Sequence, residues 1–146
     1  MLCAIHRSTS DGHKLRKIQF ADNDPMTLYV ISPTTQLDLN TTLVNLNGDA
    51  DLLNTIATIF AEDVPSITIA LKDAFVNGDG AGAVLHAHTI KGMALNFHAE
   101  PLTTLTRRLE MEYANLSFCD RQELVLQIET ECKATIVELK RKIGLY

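Results

Sequence analysis

Tryptophan is absent from this chain, and other aromatic residues are scarce, with five phenylalanines and three tyrosines. A core must therefore be built mainly from leucine, isoleucine, valine and alanine. The 146 residues suffice for one domain around a single core. No apolar run approaches the about 18 residues that a membrane-spanning helix needs. The apolar run after Met1 is also too short for a signal peptide, so we expect neither a membrane-spanning helix nor a signal peptide in this sequence.

Metal-binding and nucleotide-binding patterns are missing as well. The three cysteines Cys3, Cys119 and Cys132 form no CxxC or related spacing. The chain contains no GxxxxGK[ST] loop and no glycine-rich loop after a strand, so we expect no ATP site. Lysine and arginine total 13 against 18 acidic residues, a net charge of −5 that argues against nucleic-acid binding. An odd number of cysteines without a secretory signal favours a cytoplasmic protein.

The chain changes character near Pro33. Residues 1–36 hold many small polar residues around two short apolar runs, Leu15–Phe20 and Thr27–Ile31. These runs are compatible with a weak β-hairpin or with an extended linker, and we expect a poorly ordered or loosely docked leader. The second part, residues 37–146, has helical hydrophobic spacing and is predicted to be the folded domain.

Six amphipathic segments are predicted in this second part. They comprise a first helix over Leu37–Leu46, a second capped by Asp49, a third with Pro65 in its first turn, a fourth over Ala81–Phe97, a fifth beginning near Ala99, and a sixth opening at Asp120 with Glu123 in a capping-box position. The second helix should bury a stripe formed by Leu52, Leu53, Ile56, Ile59 and Phe60. Because long amphipathic helices joined by short loops pack as antiparallel neighbours, we expect an all-α fold. Its architecture should be an antiparallel up-down four-helix bundle with short additional N-terminal helices.

The fourth predicted helix places one histidine apart from its core stripe. At about 100° per residue the stripe occupies an arc of about 80° and consists of Ala83, Ala87, Ile90, Ala94 and Phe97. His88 projects about 140° from the centre of that arc and should face solvent from a rigid element.

Two neighbours make this position chemically useful. Lys91 at i+3 and Gly92 at i+4 lie on the same face as His88. A lysine there can stabilise negative charge that arrives at the imidazole, and a glycine leaves space for a phosphoryl group. Glycine inside a helix costs about 1 kcal/mol relative to alanine. Close approach of another group, or tight helix packing, would account for that cost.

The same stretch resembles the phosphoacceptor motif of histidine-containing phosphotransfer (HPt) domains. The resemblance rests on His88-Thr89-Ile90-Lys91-Gly92, followed by Ala94, Asn96, Ala99, Glu100 and Leu102. Upstream it extends through Leu46–Asp49, Phe60–Pro65 and Asn77–Asp79, so that it covers about residues 37–143. The chain departs from the family at His98, where a glycine usually stands in the turn after the motif helix.

The resemblance implies a function as well as a fold. It implies that His88 accepts a phosphoryl group and passes it between receiver-domain aspartates in a two-component phosphorelay, with Lys91 as charge support and Gly92 as space for the phosphoryl group. The partners would be receiver domains of a hybrid sensor kinase, of a response regulator, or of both. Mg²⁺ would belong to the receiver, and the chain itself would be a monomeric phosphocarrier without a cofactor.

Apolar side chains also lie on the His88 face. Val84, Leu85 and Leu95 fall within about 60° of His88 on the helical wheel. Because an apolar patch around a functional group is typical of a partner site, we predict that these three residues dock the receiver, with Lys91 at the edge. Burial of some of them by the leader or by a neighbouring helix is the alternative.

Other functions remain open from the sequence. One is a helical adaptor that works without phosphorylation, and another is the dimerisation and phosphoacceptor domain of a histidine kinase, which would need a nucleotide-binding domain. The chain could be a free-standing carrier or a domain of a hybrid kinase. A metal site at His86 and His88 is not expected, since side chains two residues apart on a helix point about 200° apart.

Overall fold

The computed structural model describes residues 35–144. They form five α-helices and one short 3-10 helix: α1 (Leu39–Asn45), α2 (Ala50–Val76), α3 (Gly80–Leu95), α4 (Glu100–Glu112), the 3-10 turn (Tyr113–Asn115) and α5 (Phe118–Ile143). The leader proposed for residues 1–36, including its hairpin alternative, lies almost entirely outside the described residues.

The four longer helices form a closed ring of neighbours. α2 packs against α3 and α5, and α4 packs against the same two helices from the other side. Short turns join successive helices, so the predicted antiparallel up-down bundle is confirmed, with α1 as a short N-terminal addition. Aliphatic side chains dominate the core, and Phe60 meets Phe97 edge to face with ring centroids 5.5 Å apart.

The helix boundary predicted before Pro65 is absent, and α2 is one continuous helix through this residue. We expected Pro65 to lie in the first turn of a separate helix. Inside a helix, proline removes the hydrogen bond to the carbonyl four residues earlier. Here Pro65 is exposed, and the buried stripe passes it without interruption from Phe60 through Val64 to Thr68. No glycine or asparagine stop signal precedes Pro65, so burial of this continuous stripe outweighs the lost hydrogen bond.

Two further predictions about helix details are wrong. Leu52 and Ile59 are 41% and 46% exposed, because the buried face of α2 is centred on Leu53, Ala57 and Phe60 instead. The last helix begins at Phe118, not at Asp120. Its cap is Ser117, whose hydroxyl accepts a hydrogen bond from the Asp120 amide over 3.1 Å, as expected of a serine three residues before an acidic first-turn residue.

The turn between α3 and α4 sets how these two helices face each other. His98 adopts a left-handed conformation there with φ 54°, which histidine tolerates better than most residues other than glycine. Helix α1 holds the turn from outside: the Asp38 amide donates to Phe97 O over 3.1 Å, and Thr42 Oγ1 donates to Asn96 O over 2.7 Å. The chain therefore keeps a glycine-type turn without a glycine.

Within residues 35–144, every helix is too short or too polar to cross a membrane.

Candidate functional site

On α3, His88 faces solvent, as the helical spacing of the sequence predicted. The core stripe Ala83, Ala87, Ile90, Ala94 and Phe97 is buried throughout. His88 lies midway along the helix, and its side chain is 61% exposed. The Asp79 carboxylate fixes the start of α3 by accepting a hydrogen bond from the Gly82 amide over 2.9 Å. The imidazole is thus displayed to solvent from a helix that is capped and packed.

Glu110 of α4 joins His88 to Lys91. Its Oε2 lies 2.6 Å from His88 Nδ1, and its Oε1 accepts a hydrogen bond from Lys91 Nζ over 2.5 Å. The side chains of Glu110 and Lys91 are only 20% and 19% exposed. One carboxylate therefore bridges the two residues that the sequence singled out, and it does so from the neighbouring helix.

The charge state of Glu110 follows from this arrangement. The hydrogen bond from Lys91 lowers the pKa of the Glu110 carboxyl, and the hydrogen bond from His88 and the positive charge of Lys91 act in the same direction. Partial burial opposes them by penalising the charged form, but the pKa still lies below its ordinary value. Glu110 is therefore a carboxylate at neutral pH.

An ionised carboxylate only accepts hydrogen bonds. Nδ1 of His88 must then carry the proton in the contact with Glu110, because a hydrogen bond needs one donor. In a neutral imidazole with a protonated Nδ1, the lone pair available for chemistry is on Nε2. We infer that the hydrogen bond from Nδ1 to Glu110 orients the ring and leaves Nε2, the nitrogen on the other side of Cε1, available to a partner.

Lys91 and Gly92 occupy different surroundings beside the imidazole. Lys91 reaches His88 through the shared carboxylate of Glu110, which holds its ammonium next to the ring. Gly92 is exposed, and within residues 35–144 a Cβ atom built there would meet no atom within 4 Å beyond the neighbouring backbone of its own helix. Tight helix packing therefore does not explain this glycine, which leaves close approach of another group as the remaining reason.

The predicted docking residues are not equally accessible. Leu85 and Leu95, about one and two turns away from His88 in opposite directions, are 59% and 45% exposed. Val84 is half-buried and offers less surface to a partner. Two leucines thus flank the imidazole along α3 as an exposed apolar pair.

Histidine His86 is half-buried on the same helix. Among residues 35–144, no cluster of three or more histidine, cysteine or acidic side chains could hold a metal ion.

Glu110 is the site residue that the sequence analysis missed. Its signal was available in the helical hairpin that α3 and α4 form around Ala99. Residues equally far from the centre of an antiparallel hairpin lie opposite each other, and residues 88 and 110 are each 11 positions from residue 99. Searching α4 for a polar partner near that position would have selected Glu110.

Comparison with known proteins agrees with this description. The family model of the Hpt domain matches residues 55–138, more than half of the chain. The crystal structure of histidine-containing phosphotransfer protein B (HptB) from Pseudomonas aeruginosa PAO1 has a similar fold, with a TM-score of 0.68 at 22% sequence identity. The similarity covers 79% of this chain and 98% of that chain. A comparison with curated proteins finds no significant match.

Proposed function

This chain belongs to the histidine-containing phosphotransfer (Hpt) domain family, and we propose that His88 is the residue on which it carries the phosphoryl group. The family is one of phosphocarriers in two-component phosphorelays, and its members exchange phosphoryl groups with receiver domains. The chain is accordingly a histidine phosphotransfer protein. What the family does not supply is which atoms of this chain perform the transfer.

One observation supports the choice of His88 above all others. Its imidazole is 61% exposed, while its Nδ1 lies 2.6 Å from the carboxylate of Glu110. Exposure lets a second protein reach the ring, and the carboxylate orients it with Nε2 free. Among the contacts within residues 35–144, none comparable is found for His86, which is half-buried on the opposite side of α3.

The transfer step follows from this orientation. The Nε2 lone pair of His88 attacks the phosphorus atom of an aspartyl phosphate on the receiver, and an N–P bond forms. The bond between phosphorus and the aspartate oxygen breaks, and its electrons return to the aspartate carboxylate. Phosphoryl transfer depends mainly on positioning and on stabilisation of charge, so a fixed imidazole beside a cation suits the reaction.

Lys91 and Gly92 have supporting roles in this proposal. The ammonium of Lys91 stabilises the negative charge of the incoming phosphoryl group, and it is already held within one turn of His88 by Glu110. Gly92 provides open space on the same face, because no side chain projects from it towards the partner.

The proposal also covers the receiver contacts, the magnesium ion, and the oligomeric state and location of the protein. The receiver covers His88 and contacts Leu85 and Leu95, with Val84 at the margin. Mg²⁺ belongs to the receiver in this proposal, as the resemblance to the family implies. In this proposal the protein is a monomeric carrier without catalytic activity of its own. It works in the cytoplasm between a hybrid sensor kinase and a response regulator.

The test is phosphoryl acceptance by a His88→Gln variant. The donor is a receiver domain that carries labelled phosphate and loads the wild-type chain. His86→Gln serves as the matched control, because it removes a histidine from the same helix. We expect His88→Gln to accept no acid-labile, alkali-stable phosphate, while His86→Gln accepts as much as the wild type.

Folding is checked by circular dichroism and by unfolding in denaturant. An exposed substitution changes stability by about 0.5 kcal/mol or less, so His88→Gln should remain folded. Acceptance of phosphate by the folded His88→Gln variant would show that another residue is the phosphoacceptor.

A further inference from the structure

The contact between Glu110 and His88 has a consequence for the phosphorylated form of the protein. Attack by Nε2 requires no proton transfer, because Nδ1 keeps its hydrogen throughout. The immediate product is an imidazolium that carries the phosphoryl group on Nε2 and a proton on Nδ1. Glu110 Oε2 lies 2.6 Å from that nitrogen and can accept its hydrogen bond in both forms.

Release of the phosphoryl group depends on the same proton. When the N–P bond breaks, its electrons go to Nε2. With a proton on Nδ1, the leaving group is a neutral imidazole. Without it, the leaving group would be an imidazolate anion, which is a far poorer leaving group. Loss of the Nδ1 proton therefore converts a transferable phosphoryl group into an inert one.

We propose that Glu110 keeps Nδ1 of phosphorylated His88 protonated, so that the phosphoryl group remains transferable at neutral and mildly alkaline pH. This inference rests on the proposed function, since it requires that His88 carries the phosphoryl group. Glu110 acts through His88 and is a positioning residue, not a catalytic one.

Among the charged groups around the imidazole, the carboxylate of Glu110 is the one that favours this role. From α4, the carboxylate of Glu110 faces Nδ1 directly, and Arg107 lies one turn before it on the exposed surface. From α3, the ammonium of Lys91 opposes ring protonation, but it is paired with Glu110 at 2.5 Å. The phosphoryl group is present in every variant compared below, so its own effect cancels.

Glu110→Gln separates charge from geometry. A glutamine amide oxygen can still accept a hydrogen bond from Nδ1, so the ring orientation is preserved while the negative charge is lost. Lys91 then remains as an unpaired cation beside the ring. An opposite charge at hydrogen-bond distance shifts a proton equilibrium by about one pH unit or more, and its removal should produce a shift of that size.

The experiment measures single-turnover transfer as a function of pH. Wild type and Glu110→Gln are loaded with phosphate, freed from the donor, and mixed with an unphosphorylated receiver domain that accepts phosphate from the wild type. Glu129→Gln is the matched control, because Glu129 on α5 also accepts a hydrogen bond from a lysine, Lys72, over 3.0 Å. Titration of receiver groups affects all three proteins equally and cancels in the rate ratio.

We expect the rates of wild type and Glu110→Gln to converge near pH 6 and to differ about tenfold at pH 8.5, with the variant slower. Glu129→Gln should follow the wild type at every pH. A ratio between Glu110→Gln and wild type that does not change with pH would overturn the inference and leave Glu110 with a purely geometric role.

A second measurement does not depend on the variant. In the phosphorylated wild type, nitrogen NMR should show that Nδ1 of His88 keeps its proton to a higher pH than in a phosphorylated, unfolded peptide of residues 84–92, because only the folded protein places the Glu110 carboxylate against Nδ1. Equal titration in protein and peptide would also overturn the inference. Both results differ from failure of the proposed function, in which no phosphate would be found on His88 at all.

Discussion

The side chains of His88 and Glu110 lie 2.6 Å apart although 22 residues separate them in the sequence. The contact crosses from α3 to α4 and depends on the helical hairpin between them. The same carboxylate also accepts a hydrogen bond from Lys91. The imidazole of His88, the carboxylate of Glu110 and the ammonium of Lys91 therefore form one connected group on the surface of the bundle.

Removal of the lysine should slow transfer without abolishing it. Lys91 stabilises charge and forms no bond to phosphorus, and a partly buried cation contributes on the order of 1 kcal/mol, which corresponds to a several-fold change in rate. Single-turnover kinetics of Lys91→Ala measure the effect. Lys133→Ala is the control, because this α5 lysine also pairs with a glutamate, Glu129, at 3.5 Å. Equal rates for Lys91→Ala and wild type would remove Lys91 from the mechanism.

A methyl group at position 92 should stabilise the fold and impair transfer. A Cβ there meets no atom within 4 Å, so Gly92→Ala should gain about 1 kcal/mol from helix propensity. The added side chain stands beside the space that the phosphoryl group and the receiver occupy, and transfer should slow. Thr55→Ala, an exposed α2 substitution far from the site, is the control for a gain in helix propensity, although it also removes the hydrogen bond from the Thr55 hydroxyl to Asp51 O. A stabilised Gly92→Ala variant with unchanged transfer would contradict the spatial role of Gly92.

The exposed leucines should determine receiver affinity. Leu85→Asp and Leu95→Asp place a charge in an apolar contact, and we expect each to weaken binding about tenfold, as loss of an important contact does. Val137→Asp on α5, where the valine is 66% exposed, is the control. Titration of the receiver, with folding checked by circular dichroism, measures the change. Wild-type affinity in both folded leucine variants would exclude this surface as the docking site.

The stability of the protein should depend on pH through Glu110. The folded-state pKa of this carboxyl lies below its unperturbed value of 4.5, first because of Lys91. The carboxylate therefore stabilises the folded state above pH 4.5, and this contribution is lost as the pH falls through the lowered pKa. Glu110→Gln should be less stable than wild type by about 1 kcal/mol at pH 7, and the difference should shrink at lower pH.

Denaturant unfolding of both proteins at pH 7 and at pH 3.5, about one unit below the unperturbed value, measures this difference. If the gap in unfolding free energy were the same at both pH values, the lowered pKa of Glu110 would not be its source.

The sequence predicts well those features that depend on local periodicity. The buried stripe of α3 and the exposure of His88 follow from residue spacing along one helix, because each side chain's direction is set by its own position. The motif predicts where the turn at His98 lies, but it does not predict the conformation of that turn. The contacts that hold its left-handed backbone come from Asp38 and Thr42, more than 50 residues away in the sequence.

Features that depend on packing between helices were not predictable from local patterns. Proline at position 65 is a strong local break signal, yet α2 continues because its buried stripe packs against two other helices. The local pattern around Glu110, a charged residue next to the buried Leu109, does not distinguish it from other charged residues of α4. Its role emerges only when the register of α3 against α4 places it beside His88.

The most direct test of the account is to locate the phosphoryl group on the intact wild-type protein. The chain is labelled with ¹⁵N at histidine, phosphorylated by a receiver domain, and examined by nitrogen NMR with His88→Gln used for assignment. The account predicts that phosphorylation occurs on Nε2 of His88, with a proton remaining on Nδ1. Phosphate on Nδ1 of His88, or on any other histidine, would contradict it.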